Sequence, residues 1–317
     1  MDPLLRNVRY GTAITPYFRK CMLAELPGMS FSSLNANPFA DVELFPDFRV
    51  SRSGELPVKQ GYPSVTYINQ CVQPKEALYK WQCAKYAQMG ANFKQWNLDL
   101  MSAGSRTHKE IEKLLKEFHK TGKIEKSDDE IINAVTNPKV KIQESVQSYL
   151  KSILPFLRMN LVHHPNMAVE RSVAHHGLFY TGKFDAICSL GDEGLMLVDW
   201  KTVNIDSAKA EANVTDIDLF DYPAQLAAYV GGVNADPNFE DLGVITKAAV
   251  VLMYETQRPA EMIIYEGVEL QKHWTNWLES LNKYWWTMKN FEGDTVQFVY
   301  NPHAPKKVFG IRDSSES

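Results

Sequence analysis

Four apolar residues, Leu195-Met196-Leu197-Val198, run directly into Asp199-Trp200-Lys201-Thr202. So apolar a run reads as a strand buried in a sheet, and a carboxylate and an ammonium at its end are costly there unless they are partnered or put to use. On a strand Asp199 and Lys201 share one face and Trp200 takes the other. Asp185, in Gly182-Lys183-Phe184-Asp185, lies on the preceding expected strand, and the turn Gly191-Asp192-Glu193-Gly194 lets it sit beside Asp199 in an antiparallel pair. Two carboxylates about 4 Å apart repel by roughly 4 kcal/mol at an effective dielectric of about 20, so such a pair needs a proton or a cation between its members. Hard oxygen donors without cysteine favour Mg²⁺ or Mn²⁺. The plain alternative is a cross-strand ion pair of Lys201 with Asp185 or Asp199, which contributes little to stability when exposed.

The rest of the pattern predicts an α/β fold with a mixed central sheet flanked by helices. Residues 73–100 are rich in Ala, Lys, Gln, Trp and Met; over 105–121, Ile111, Leu114, Leu115 and Phe118 share one helical face. Ser127-Asp128-Asp129-Glu130 is a capping box opening another helix, Asn137-Pro138 breaks it, and residues 139–159 form a helix kinked or ended early by Pro155. Strands are expected at 167–175, 179–190 and 194–203, then a helix from Tyr222 to Val233, strands at 245–254 and 261–265, and a last helix over 268–290. That helix carries Trp274, Trp277, Leu281, Tyr284 and Trp285 on one stripe. Residues 1–60 read as an N-terminal arm, 61–295 as one domain and 296–317 as a C-terminal tail.

Composition excludes several classes. The 317 residues have 34 Lys plus Arg against 38 Asp plus Glu, a formal net charge of −4, so any grip on nucleic acid must come from local clustering of charge. No run approaches the roughly 18 apolar residues of a membrane span. Cys21, Cys71, Cys83 and Cys188 form no CxxC pair, against a zinc ribbon, an iron–sulfur cluster and a disulfide framework, and read as reduced thiols. Between Pro3 and Ala24 stand Arg6, Arg9, Arg19 and Lys20 and no acid, a pattern shared by organelle-targeting segments and plain arms.

Three further features bear on the Asp185–Asp199–Lys201 patch. Gln225 and Tyr229 lie four apart on one face of the helix after the strands, within reach of a phosphate or of the lysine, or else as a solvent-facing Gln and a core Tyr. Gly104-Ser105-Arg106-Thr107-His108 opens an upstream helix with His108 at the edge of its apolar stripe, as an added metal ligand or a cap. Lys109, Lys113, Lys116 and Lys120 form a ridge opposite that stripe, continued by Lys123 and Lys126; it would track a phosphate backbone or simply be a solvated face diluted by Glu110, Glu112 and Glu117.

Together, G-x-x-D, a short turn, D-W-K-T and Q-x-x-x-Y resemble the RecB-type branch of the PD-(D/E)xK nucleases. Tyr62-Pro63-Ser64-Val65-Thr66, Gly104…His108, Val169-Glu170 and Trp274-x-x-Trp277-Leu278 resemble, within it, the mitochondrial genome-maintenance exonucleases, over roughly residues 61–290. The resemblance implies a PD-(D/E)xK (restriction-endonuclease-like) core, with helices forming an arch that admits a single strand and excludes a duplex. It implies a Mg²⁺- or Mn²⁺-dependent exonuclease on single-stranded DNA, clearing free ends and flaps in the mitochondrial matrix, with no membrane and as a monomer. The resemblance also implies that water attacks and the 3′ oxygen leaves. By position, Asp185 and Asp199 hold the metal with His108 and the Trp200 backbone carbonyl, and Lys201 is the catalytic lysine. Gln225, Tyr229, Thr202, Ser105, Lys109 and Lys113 contact substrate, and Glu170 is a further candidate whose plain alternative is an exposed strand glutamate. Phe93, Trp96, Phe118 and Tyr180 are candidates for base stacking or for the core. Asn204 to Asp221, with Asp206, Glu211, Asp216 and Asp218, is long and acidic beside an expected DNA path. Two other readings share the sequence: a structure-selective endonuclease, and a non-cleaving single-strand-binding module.

Overall fold

The structure, a computed structural model, describes residues 62–135, 140–204 and 221–290. The expected arm with its targeting segment, the Asn137-Pro138 break, the C-terminal tail, Cys21, and Asp206, Glu211, Asp216 and Asp218 lie outside the described residues.

The described elements run α1 (Val65–Val72), α2 (Glu76–Met89), α3 (Asn92–Thr121), α4 (Asp128–Asn133) and α5 (Val140–Asn160). Then come β1 (Leu161–Val162), β2 (Ala168–His175), β3 (Tyr180–Leu190), β4 (Leu195–Val203), α6 (Tyr222–Ala235), β5 (Lys247–Tyr254), β6 (Glu261–Glu266) and α7 (Gly267–Asn290). The fold is α/β, with one mixed sheet between helices. β3, β4, β5 and β6 lie side by side, and β1 and β2 both pair with the outer edge of β3. Among the described strand pairs only β4 and β5 are parallel, with Asp199 opposite Val250 and Lys201 opposite Leu252; α6 lies on the connection between them.

Buried strands with both faces covered read as continuous apolar runs rather than alternations. Ile187, Leu197, Ala248, Val250 and Leu252 pack with residues of α1, α6 and α7. Ala186, Cys188, Met196, Val198, Trp200, Val251 and Met253 pack with α3, α4 and α5 on the other side. α6 is buried almost all round and comes close to its neighbours: a Cβ at Gly231 would stand 2.3 Å from the Trp274 ring. Cys71, Cys83 and Cys188 are free thiols. Among the described residues no helix is long and apolar enough to cross a membrane.

Three expectations need correction. The helix expected to open at Gly104 begins at Asn92 and runs 30 residues through Gly104, which the helix accommodates because β4 lies against it: a Cβ there would sit 3.1 Å from Thr202 Oγ1. Pro155 does not end α5 early: the helix continues past it to Asn160, although an interior proline forfeits one helical hydrogen bond. α1 went unpredicted; Ser64 caps it, its Oγ accepting from the Tyr67 N–H at 3.1 Å.

Candidate active site

The β2–β3 register places Val169 opposite Ala186 and Arg171 opposite Phe184, so Glu170 stands opposite Asp185. The β3–β4 register places Ala186 opposite Val198, so Asp185 in turn stands next to Asp199. Three acids from three adjacent strands therefore form one row. Strand alternation slips along that row. Phe184 and Ile187, three apart, pack into the same core layer, as do Ala168 and Val173, five apart. Glu170 sits at the slip with φ +52°, left-handed backbone that a glutamate adopts only under constraint.

α3 delivers the fourth group. Its apolar face (Ala103, Thr107, Ile111, Leu114, Leu115, Phe118) is buried, and His108 sits at the margin of that face. His108 Nδ1 lies 3.3 Å from Asp185 Oδ2. Ligand atoms of His108, Glu170 and Asp185 all lie within 4.8 Å of one another. Opposite ligands around a Mg²⁺ ion at about 2.1 Å are ~4.2 Å apart, so small side-chain movements would close the group on an ion. The Trp200 N–H donates to Asp185 Oδ2 at 2.9 Å. In extended backbone a residue's N–H and C=O leave on the same strand edge, so the Trp200 carbonyl is directed toward the same gap.

Beside this cluster lies an ion pair, Lys201 Nζ to Asp199 Oδ2 at 2.6 Å. Trp200 faces the opposite core layer, as alternation requires. Burial pushes the Asp199 carboxyl up to about 6, with Lys201 pulling the other way. For Lys201, burial opposes the charge, but the Asp199 carboxylate outweighs it and holds the ammonium above its ordinary range. Lys201 also lies 4.4 Å from the centre of the Tyr222 ring. Burial likewise works against protonation of His108, yet the Asp185 carboxylate, with Asp199 beyond it, raises its pKa. The site is thus an acid row that favours the protonated forms of His108 and Lys201, and one imidazole with two carboxylates beside it is a donor set that suits a hard divalent ion.

Gln225 Nε2 donates to Tyr229 OH at 2.8 Å, and Asp199 and Lys201 both act on Tyr229 electrostatically. Gly182 has a steric reason to be glycine: a Cβ there would stand 2.5 Å from Tyr229 Cε1.

Other candidates fall outside the cluster. Ser105 and Lys109 are exposed on α3 beside His108, and Thr202 is half-buried against Gly104. Lys113 is tied to both Glu110 oxygens at 2.9 Å and Lys116 to Glu112 at 2.5 Å, so the lysine ridge is partly neutralised by its own helix. Tyr180 and Phe118 are core residues, 0% and 6% exposed, which excludes them from stacking on a base. Tyr180 instead donates to the Ala228 carbonyl at 2.8 Å. Phe93 and Trp96 join Trp81 and Tyr86 in an aromatic cluster between α2 and α3, with Trp81 and Tyr86 exposed and Lys85 5.7 Å from the Trp96 ring.

Three contributors escaped the sequence reading. Thr66 Oγ1 lies 3.5 Å from Gln225 Nε2, Tyr222 underlies Lys201, and Lys183 pairs with Glu170. Each stood in or beside a stretch singled out in the sequence; only its three-dimensional neighbour was missing.

No protein-family model matches the chain. It is similar to Mitochondrial genome maintenance exonuclease 1 of Homo sapiens, 26% identical over 232 residues that cover 72% of this chain. The Mus musculus protein of that name is 25% identical over 262 residues, 78% of this chain and 69% of the relative. The Xenopus tropicalis protein is 26% identical over 226 residues, 70% of this chain and 57% of the relative. The match spans 59% of the human protein's length. These similarities, over most of the described fold, support a relationship of the chain to that exonuclease.

Proposed function

We propose that the chain is a divalent-metal-dependent exonuclease of the RecB-type PD-(D/E)xK group that degrades single-stranded DNA from free ends and flaps in mitochondrial DNA maintenance. The observation that carries this reading is the joining of His108, Glu170 and Asp185 within 4.8 Å, beside the Lys201–Asp199 pair. The named relatives supply the nucleic-acid substrate and the mitochondrial setting.

On this reading His108, Glu170, Asp185, Asp199 and the Trp200 carbonyl hold Mg²⁺ or Mn²⁺. When bound, the ion supplies Lewis acidity, drawing charge from the phosphoryl group and acidifying the attacking water. Lys201, held toward its ammonium form by Asp199, donates to the water or to the oxygens that gain charge. Water forms the new bond to phosphorus and the 3′ oxygen leaves, giving a 5′-phosphate. Gln225 and Tyr229, joined by a hydrogen bond, orient the phosphate next in line, with Thr202, Ser105 and Lys109 as outer contacts. Lys113 reaches the strand only by exchanging Glu110 for a phosphate. The exposed aromatic cluster of α2 and α3 suits sequence-independent stacking by an arch over a single strand. Residues 61–295 are the catalytic domain, acting as a monomer.

End-labelled linear single strands, circular single strands and blunt duplex, incubated with Mg²⁺, Mn²⁺ or EDTA, test the proposal. Metal-dependent loss of the linear strand alone is expected. Cleavage of the circle would make the enzyme an endonuclease, and tight binding without turnover in any metal would make it a binding module.

A further inference from the structure

The acid row has a cation of its own at each end. Lys201 serves Asp199 from within the fold, its side chain 19% exposed. At the other end Lys183, opposite Ser172 in the β2–β3 register, brings its ammonium into ion-pair contact with Glu170 Oε2. The settings differ. Lys183 is 59% exposed while Glu170 is 16% exposed, so this pair bridges from water to the cluster. Ion pairs with one partner so exposed are weak and exchange readily, whereas a divalent ion draws on several carboxylates at once. Glu170 is also the residue whose backbone is held at φ +52°, a conformation that needs an external tie.

We propose that Lys183 is the built-in counter-ion of the cluster: its ammonium sits on the Glu170 carboxylate that a divalent ion would draw on, steadies Glu170 until the ion arrives, and must be displaced for the site to load. This rests on the reading of His108, Glu170 and Asp185 as a metal centre. Lys183 would then set the metal concentration at which the centre fills. A surface salt bridge without that role would leave metal affinity unchanged.

Calorimetric titration of Mn²⁺ into the intact chain tests this, with no turnover required. Lys183→Met removes the competitor and leaves the buried structure untouched, because the side chain is largely in solvent; a thermal melt verifies the fold. Since an exposed ion pair contributes at most about fivefold in an equilibrium constant, Lys183→Met is expected to bind Mn²⁺ about two- to fivefold more tightly. Lys183→Arg keeps the charge and should bind as the parent does. Asp185→Asn is the control for the centre itself and should bind Mn²⁺ far more weakly. If Asp185→Asn weakens binding but Lys183→Met leaves it unchanged or weaker, the counter-ion role is overturned while the metal centre stands. If Asp185→Asn changes nothing, the metal centre falls and the role of Lys183 falls with it.

Discussion

The backbone N–H of Trp200 donates to the side chain of Asp185, at 2.9 Å, where a regular ladder would give it a backbone carbonyl. Pairing between β3 and β4 ends at Ala186 and Val198, and the carboxylate takes over from the next rung. One oxygen of Asp185 is thereby fixed from β4 and approached by His108 from α3. Asp185→Asn preserves an acceptor for that N–H and removes the charge. It should keep the fold and, on the proposed function, lose about 100-fold or more in degradation of single-stranded DNA, the scale on which one aimed electrostatic group acts. Asp185→Ala also strands an N–H on a residue that is 2% exposed, and should further lower stability by about 1–3 kcal/mol in urea unfolding. Equal stability of the two variants would refute the tie between the strands.

A second prediction concerns Asp199 and Lys201. Asp199 titrates near 6 in the fold, above the ordinary carboxylate value of 3.8, because burial outweighs Lys201. A carboxyl raised by folding gives stability that is full below its unfolded value and lost as pH rises through the folded one. Lys201→Met removes the opposing charge and moves Asp199 further up. The loss of stability relative to the parent should therefore grow from pH 5 to pH 8, reaching about 3 kcal/mol. Adding Asp199→Asn should remove the pH dependence and restore most of the loss. Chemical denaturation at several pH values measures both, and a double variant no more stable than Lys201→Met alone would overturn the coupling.

Much of this was legible because it follows from period and punctuation. The apolar runs of β4 and β5, the Ser127 capping box and the Trp274–Trp285 stripe appear where the sequence expects them. Alternation alone puts Asp199 and Lys201 together. The slip at Glu170 and Asp185 was not legible, since a glutamate gives no local sign of a left-handed backbone. Gly104 misled for a physical reason. Glycine suggests a helix end by propensity, but here it answers to a strand packed against the middle of a helix, a contact formed by residues 98 positions apart.

That contrast between glycines gives a third prediction. Alanine at Gly182 would set a methyl 2.5 Å from the Tyr229 ring, held between core layers, and should cost about 1–3 kcal/mol through overpacking while displacing Tyr229 and Gln225. At Gly104 the neighbour is a hydroxyl 3.1 Å away that can rotate, and alanine in a helix interior gains ~1 kcal/mol over glycine. Gly104→Ala should therefore melt within a degree or two of the parent, whereas Gly182→Ala melts well below it. Thermal denaturation distinguishes them, and equal melting temperatures would show that backbone propensity, not contact, governs both sites.

The last prediction lies away from the acid row. His175 ends β2, is 7% exposed, and stacks on Trp274 with ring centres 6.3 Å apart, while Tyr180 lies 5.2 Å off. Its Nδ1 accepts the Leu178 N–H at 3.1 Å, which only the neutral ring can do. Burial pulls its pKa down to about 4, from an ordinary value of 6.5. The unfolded chain therefore takes up a proton near pH 6.5 that the folded chain refuses until about 4. The stability this residue protects is complete above that window and drains away as pH falls through it, by about 3 kcal/mol in all. His175→Gln can keep an acceptor for Leu178 but cannot charge. It should be less stable than the parent at pH 7.5, having lost the ring stacking, and the gap should narrow as acid is added. Parallel urea titrations at pH 7.5, 6 and 5 measure that narrowing. A gap that stays constant would mean that His175 is charged in the folded protein after all, and that the Leu178 hydrogen bond does not hold its tautomer.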